Sequence, residues 1–130
     1  MSFDPVRIGV IGTGRFGILH AKTLLGLAES ELVALVDCSD KVLAELPEEF
    51  SGIPKYSALE DALRKSTAEA WVVSTSTADH VRVTSMLLEQ DAHVLLEKPI
   101  SRNLKEALKL SPMVSQTQGK LMLGHILLFN

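Results

Sequence analysis

Val6-Arg7-Ile8-Gly9-Val10-Ile11-Gly12-Thr13-Gly14-Arg15-Phe16-Gly17 decides the fold: an apolar run that stops on three glycines spaced G-x-G-x-x-G. Residues 6–11 are short, β-branched and nearly all apolar, which predicts a parallel strand buried on both faces. From Phe16 the period changes. Phe16, Leu19, Thr23, Leu24 and Leu27 recur at three- and four-residue spacing, the period of a helix. A tight turn at Gly12–Gly14 therefore joins strand to helix.

Each glycine has a physical role in such a turn. Gly12 permits a backbone angle closed to other residues, Gly14 lets a phosphate approach the main chain, and Gly17 lets the helix lie close on the strand. Unpaired N–H groups at the helix start then face an anion, flanked by Thr13, Arg15 and Phe16. The spacing alone is weak evidence, and context strengthens it. A dinucleotide site needs a strand before the glycines, a helix after them and an acid about twenty residues on. That acid is Asp37, at the end of Glu31-Leu32-Val33-Ala34-Leu35-Val36-Asp37, a second apolar run whose terminal carboxylate can accept both hydroxyls of an adenine ribose. Arg15 is placed to flank a pyrophosphate or to pair with a 2′-phosphate. Asp37 repels a 2′-phosphate, and Cys38-Ser39-Asp40 offers no Arg to offset it, so NAD is favoured and NADP stays open.

Length and composition bound the rest. A chain of 130 residues, 46% hydrophobic, can bury a core and matches one domain, residues 1–130, with no linker. A net charge of −3 gives no electrostatic reason to expect nucleic acid or an anionic membrane. The single cysteine, Cys38, fits a reducing compartment and a cytoplasmic location. The first ten residues lack a basic start leading into an apolar segment, so no signal peptide is expected. No apolar stretch approaches the roughly 20 residues that span a bilayer. The four histidines lack metal-ligand spacing with a third ligand nearby, so no metal is expected.

Downstream, strand and helix patterns alternate. Asp40–Leu46 predicts a short helix, and Ile53-Pro54-Lys55-Tyr56 a brief edge strand, since Pro54 cannot donate to a ladder. Ser57-Ala58-Leu59-Glu60 has the spacing of a capping box before a helix over about 58–65. Ala70-Trp71-Val72-Val73-Ser74 predicts a buried strand, with Trp71 in the core. It runs into the polar turn Thr75-Ser76-Thr77-Ala78-Asp79-His80, where Thr77 is placed to cap the next helix, which runs to about Gln90. Ala92–Leu96 predicts a fifth strand ending in Glu97-Lys98-Pro99. Asn103 and Glu106 have cap spacing, and Ser111-Pro112 predicts a helix stop and restart, with Ser111 as cap. Leu121 onward predicts a sixth strand, and the chain ends apolar, as if cut. Alternating elements imply a doubly wound α/β fold, a six-stranded parallel sheet with helices on both faces and strand order 3-2-1-4-5-6. Open parallel sheets bind ligands at strand carboxyl ends, so Gly12–Gly17, Asp37, Thr75, Ser76, His80 and Glu97-Lys98 should border one crevice.

With those residues placed, the chain resembles the N-terminal cofactor domain of the Gfo/Idh/MocA oxidoreductase family over essentially its whole length. His93-Val94-Leu95-Leu96-Glu97-Lys98-Pro99-Ile100 looks like the family's HVLCEKP signature. Thr75–His80 looks like its T-P-x-x-x-H turn, with Ser76 in place of Pro. Gly124-His125-Ile126-Leu127-Leu128-Phe129-Asn130 looks like the G-H-x-x-R-F-x-P crossover, with Leu128 where Arg is frequent, a form also seen in some sugar-nucleotide members. The resemblance implies a Rossmann fold. It also implies hydride transfer between a nicotinamide and a sugar, polyol or sugar-nucleotide carbon, with a substrate pocket supplied by a C-terminal domain entered at about residues 123–130.

Lys98 is the catalytic candidate, because a lysine at the nicotinamide end can move the alcohol proton or stabilise an alkoxide. Glu97 is assigned either to the nicotinamide ribose or to an ion pair with Lys98. His80 fixes backbone near the cofactor, and His125 is assigned near the substrate. His20 and His93 are read as structural. The resemblance further implies a homo-oligomer and no turnover from this stretch alone. A different class stays open, a non-catalytic NAD(P)-binding regulatory or co-repressor module, as does 130 residues as the natural length.

Overall fold

A computed structural model describes residues 4–124. Its centre is strand β1 (Val6–Ile11), which turns through Gly12–Gly14 into helix α1 (Arg15–Gly26) and returns as β2 (Ser30–Val36). There follow α2 (Asp40–Ala44), a short 3-10 turn (Glu48–Phe50), β3 (Lys55–Tyr56), α3 (Leu59–Lys65) and β4 (Ala70–Val73). A second 3-10 turn (Thr77–Asp79) leads into α4 (His80–Glu89), then β5 (His93–Glu97), α5 (Leu104–Leu108), α6 (Leu110–Gln116) and β6 (Leu121–Gly124). All six strands are parallel, in the order β3-β2-β1-β4-β5-β6, as the alternating pattern predicts.

Two-residue periodicity explains why the central strands are apolar throughout. Adjacent residues point to opposite faces of the sheet. Val10, Leu35 and Val72 pack with Ala21 and Phe50 on the side of α1. Their neighbours Ile11, Val36 and Val73 pack with Ala62, Val83 and Leu87 on the side of α3 and α4. Both faces are thus covered, and a polar residue at any of these positions would be buried without a partner. Trp71 is 2% exposed, and its indole lies across Gly9, where a Cβ would stand 2.2 Å from the ring.

Local signals held in some places and slipped in others. Asn103 caps α5 through its side-chain oxygen, which accepts from the Glu106 N–H at 2.9 Å, and Ser39 caps α2 in the same way. The Ser57–Glu60 capping box does not form. Ala58 takes the cap position in extended geometry and α3 begins at Leu59, so Glu60 falls one residue short of the required position. Thr77 caps nothing. It starts the 3-10 turn instead, which Ser76 ties by donating its hydroxyl to Asp79 at 3.1 Å. The stop predicted at Ser111 falls at Lys109, and Pro112 lies inside the first turn of α6, where a missing N–H costs nothing because that turn has no acceptor for it. α2 is two residues shorter than predicted, and β3 keeps only the residues after Pro54.

Candidate functional site at the carboxyl ends of the strands

Gly12 leaves β1 with φ of +91°, and its missing Cβ would sit 2.5 Å from the Ser74 carbonyl oxygen on the neighbouring β4 exit. Any other residue there is both strained and obstructed. One turn on, a Cβ at Gly17 would stand 1.7 Å from the Gly12 carbonyl oxygen, so α1 can approach the strand only with glycine at this position. The first intrahelical bond of α1 runs from the Ile18 N–H to the Gly14 carbonyl at 2.9 Å. The N–H groups of Arg15, Phe16 and Gly17 precede it and have no helical acceptor. Space around Gly14 is open, with no atom within 4 Å of where its Cβ would be. The result is a cradle of main-chain donors at a positive helix end, suited to a pyrophosphate.

Asp37 closes the far side. One carboxylate oxygen accepts from the Thr13 N–H at 2.9 Å and from the Thr13 hydroxyl at 3.0 Å, and the other accepts from the Ser39 N–H at 2.9 Å. The carboxylate is held in one orientation with lone pairs to spare. It lines a cavity of about 560 Å³ that runs between Gly12, Gly14, Cys38, Ser57, Thr75 and Arg82.

A second cavity, of about 230 Å³, meets the first along Gly14, Ser74 and Thr75. Glu97, Lys98, Phe16 and His80 line it. His80 is 2% exposed, and its ring nitrogens lie 2.7 Å from the Pro99 carbonyl oxygen and 3.1 Å from that of Thr75. The ring therefore bridges the loops after β4 and β5, the two that carry the polar turn and Lys98. Lys98 itself is exposed. Glu97 does not pair with it: the Glu97 carboxylate accepts from Nε2 of His20, reaching over from α1. Among the described residues no group of three His, Cys, Asp or Glu side chains is placed to hold a metal ion, and no helix is long and apolar enough to cross a membrane.

Comparison with known proteins decides what this arrangement is. Residues 6–125 match the family model of the Gfo/Idh/MocA oxidoreductases, described as an oxidoreductase family with an NAD-binding Rossmann fold. The chain belongs to that family. It is 30% identical to a myo-inositol 2-dehydrogenase from Thermotoga maritima over 87% of this chain and 33% of the relative. It is 29% identical to a UDP-N-acetylglucosamine 3-dehydrogenase from Acidithiobacillus ferrooxidans, over 93% of this chain and 37% of the relative. A scyllo-inositol dehydrogenase from Lactobacillus casei, solved with NAD(H) and scyllo-inositol, superposes with a TM-score of 0.89 at 21% identity, covering 98% of this chain and 38% of that one. That likeness speaks to the fold. The chain spans about a third of the length of the relatives it matches.

Within this NAD-binding Rossmann domain, most of the residues singled out in the sequence line the joined cavities. Gly12, Asp37 and Ser76 border the larger one, Arg15, Phe16, His80, Glu97 and Lys98 the smaller, and Gly14 and Thr75 both. Two do not line either. Thr13 is 1% exposed and turns inward to hold Asp37, and Gly17 acts through helix packing. His125 lies outside the described residues. His93 is structural as expected, its Nδ1 accepting from the Lys120 N–H at 3.1 Å. His20, read as a packed or hydrogen-bonded structural residue, is hydrogen-bonded through Nε2 to the carboxylate of Glu97. Its spacing of four from Phe16 put both on one face of α1, but nothing in the sequence tied that face to β5. Ser57 and Arg82 were also missed. Their signal was topological, since Ser57 follows the carboxyl end of β3, the strand beyond β2, and Arg82 lies in the first turn of α4 after β4, the neighbour of β1.

Proposed function

We propose that this chain is the cofactor-binding part of a dehydrogenase or reductase that moves a hydride between a nicotinamide and a carbon of a sugar, polyol or sugar nucleotide. The continuity of the two cavities across Gly14 and Thr75 carries this reading. It gives a dinucleotide one path, with the adenosine end at Asp37, the pyrophosphate on the N-terminus of α1, and the nicotinamide end at Glu97 and Lys98. The residues present fit such a group. Asp37 is oriented to accept from both hydroxyls of the adenine ribose, and the open space at Gly14 admits phosphate oxygens to the main-chain donors.

When bound, NAD supplies the hydride acceptor or donor. The chain's own part is positional and electrostatic. Lys98 stands at the rim of the smaller cavity, where its neutral amine takes up the proton that leaves the alcohol oxygen as the hydride departs, and its ammonium form returns that proton in the reverse direction. His80 ties the Lys98-Pro99 loop to the Thr75 loop, so the lysine and the cavity floor move together. The names of the relatives, an inositol and a UDP-sugar dehydrogenase, support a carbohydrate as substrate. Its pocket is assigned to the part of the relatives' length that this chain does not span.

Asp37 binds the ribose as a hydroxyl acceptor and repels a 2′-phosphate, and Arg82, the guanidinium that lines the same cavity, is paired with Asp79, which favours NAD over NADP. A cytoplasmic setting suits exposed Cys38, and exposed apolar Leu104, Leu108 and Met122 support a homo-oligomer. Titration calorimetry of the chain with NADH and NADPH tests the reading. NADH should bind more tightly than NADPH, and absence of binding by either at millimolar concentration overturns it.

A further inference from the structure

We infer that His20 is a positioning residue for the nicotinamide half of the site, acting through Glu97. The inference rests on the dinucleotide reading above and adds a residue to it. His20 lies on the first helix, one turn after Phe16, and Glu97 ends β5 on the other side of the crevice. Their side chains are 24% and 12% exposed, so the contact is largely shielded from water.

A carboxylate only accepts, so Nε2 of His20 must carry the proton in this contact whatever the state of the other ring nitrogen. The bond occupies one oxygen of Glu97 and fixes the plane of the carboxylate. The second oxygen is left to accept from a hydroxyl entering the cavity that Glu97 lines with Gly14, Phe16 and Lys98. The strand on the other side leaves room for this. Gly124 sits opposite Glu97 in the β5–β6 register, and even a Cβ there would be only in ordinary contact, 3.6 Å from the carboxylate atoms.

Without His20, a mostly buried carboxylate loses its donor and its fixed orientation, which costs affinity for whatever that carboxylate was holding. The effect is local. The adenosine end is organised by Thr13, Asp37 and Ser39, none of which touches His20.

The two halves of the cofactor therefore separate a positioning role from a general structural one. NADH and ADP are titrated into the wild-type chain and into His20→Leu, His20→Gln, Glu97→Gln and the double variant His20→Leu/Glu97→Gln. His20→Leu should weaken NADH by about 3- to 10-fold, the loss of one charge-assisted hydrogen bond, and leave ADP within about 2-fold. His20→Gln, whose amide N–H reaches about as far as Nε2, should restore NADH binding. In the Glu97→Gln background the His20→Leu change should add little. NADH binding by His20→Leu equal to wild type overturns the inference, and so does equal weakening of NADH and ADP, which marks a structural role. Failure of the wild-type chain to bind either ligand overturns the dinucleotide site itself.

Discussion

Thr13 donates twice to a single oxygen of Asp37, from its main-chain N–H and from its hydroxyl. The residue between the two glycines of the turn thus orients the acid at the end of the next strand, and glycine loop and Asp37 carboxylate form one unit. Thr13→Val keeps the volume and the N–H but removes the hydroxyl donor. It should cost about 1 kcal/mol of stability and weaken NADH several-fold, read by urea denaturation and titration calorimetry. Unchanged NADH affinity would mean that the hydroxyl does not orient the carboxylate.

Asp37→Ala should weaken NADH by about 10-fold or more, the loss of hydrogen bonds to a charged acceptor. Adding Cys38→Arg to Asp37→Ala should reverse the order of NADH and NADPH affinity, because Cys38 lines the same cavity and a guanidinium there can pair with a 2′-phosphate. Competition binding with the two cofactors measures it; an unaltered preference would count against the charge argument.

Gly9→Ala should destabilise the chain by about 1–3 kcal/mol, as overpacking of a filled core does. Its methyl would stand 2.2 Å from the indole of Trp71. Trp71 is the only tryptophan, so its emission follows unfolding directly.

Lys98→Met, made in the protein that carries the whole catalytic site, should lower kcat by about 100-fold or more while NADH affinity changes little, as expected for a proton-transfer residue. Full activity in that variant would favour a non-catalytic, cofactor-sensing role. The 130-residue chain alone should bind NADH and show no turnover with inositols or UDP-sugars; measurable oxidation or reduction would overturn the assignment of the substrate pocket to a further domain.

How much of this was legible in the sequence depended on the range of the interaction. The order of the strands was legible because alternating buried strands and helices permit few right-handed arrangements, and Gly12-x-Gly14-x-x-Gly17 with Asp37 named the ligand class through spacing along one βαβ unit. Caps were less legible. Asn103 behaved as its spacing predicts, whereas Ser57 and Thr77 lost their cap positions to one-residue shifts and a 3-10 turn that tertiary packing decided.

By itself, then, the sequence determined the doubly wound sheet, the glycine cradle and the acid at the end of the second strand, because each rests on residues close in the chain or on a period repeated along it. Only the tertiary structure decided that Thr13 serves Asp37, that His80 joins the Thr75 and Pro99 loops, and that Glu97 pairs with His20 instead of Lys98. Those pairings cross from one strand exit to another. A hydrogen bond between side chains 77 residues apart leaves no period and no spacing in the sequence, and it exists only once the parallel sheet has brought the carboxyl ends of its strands to one edge.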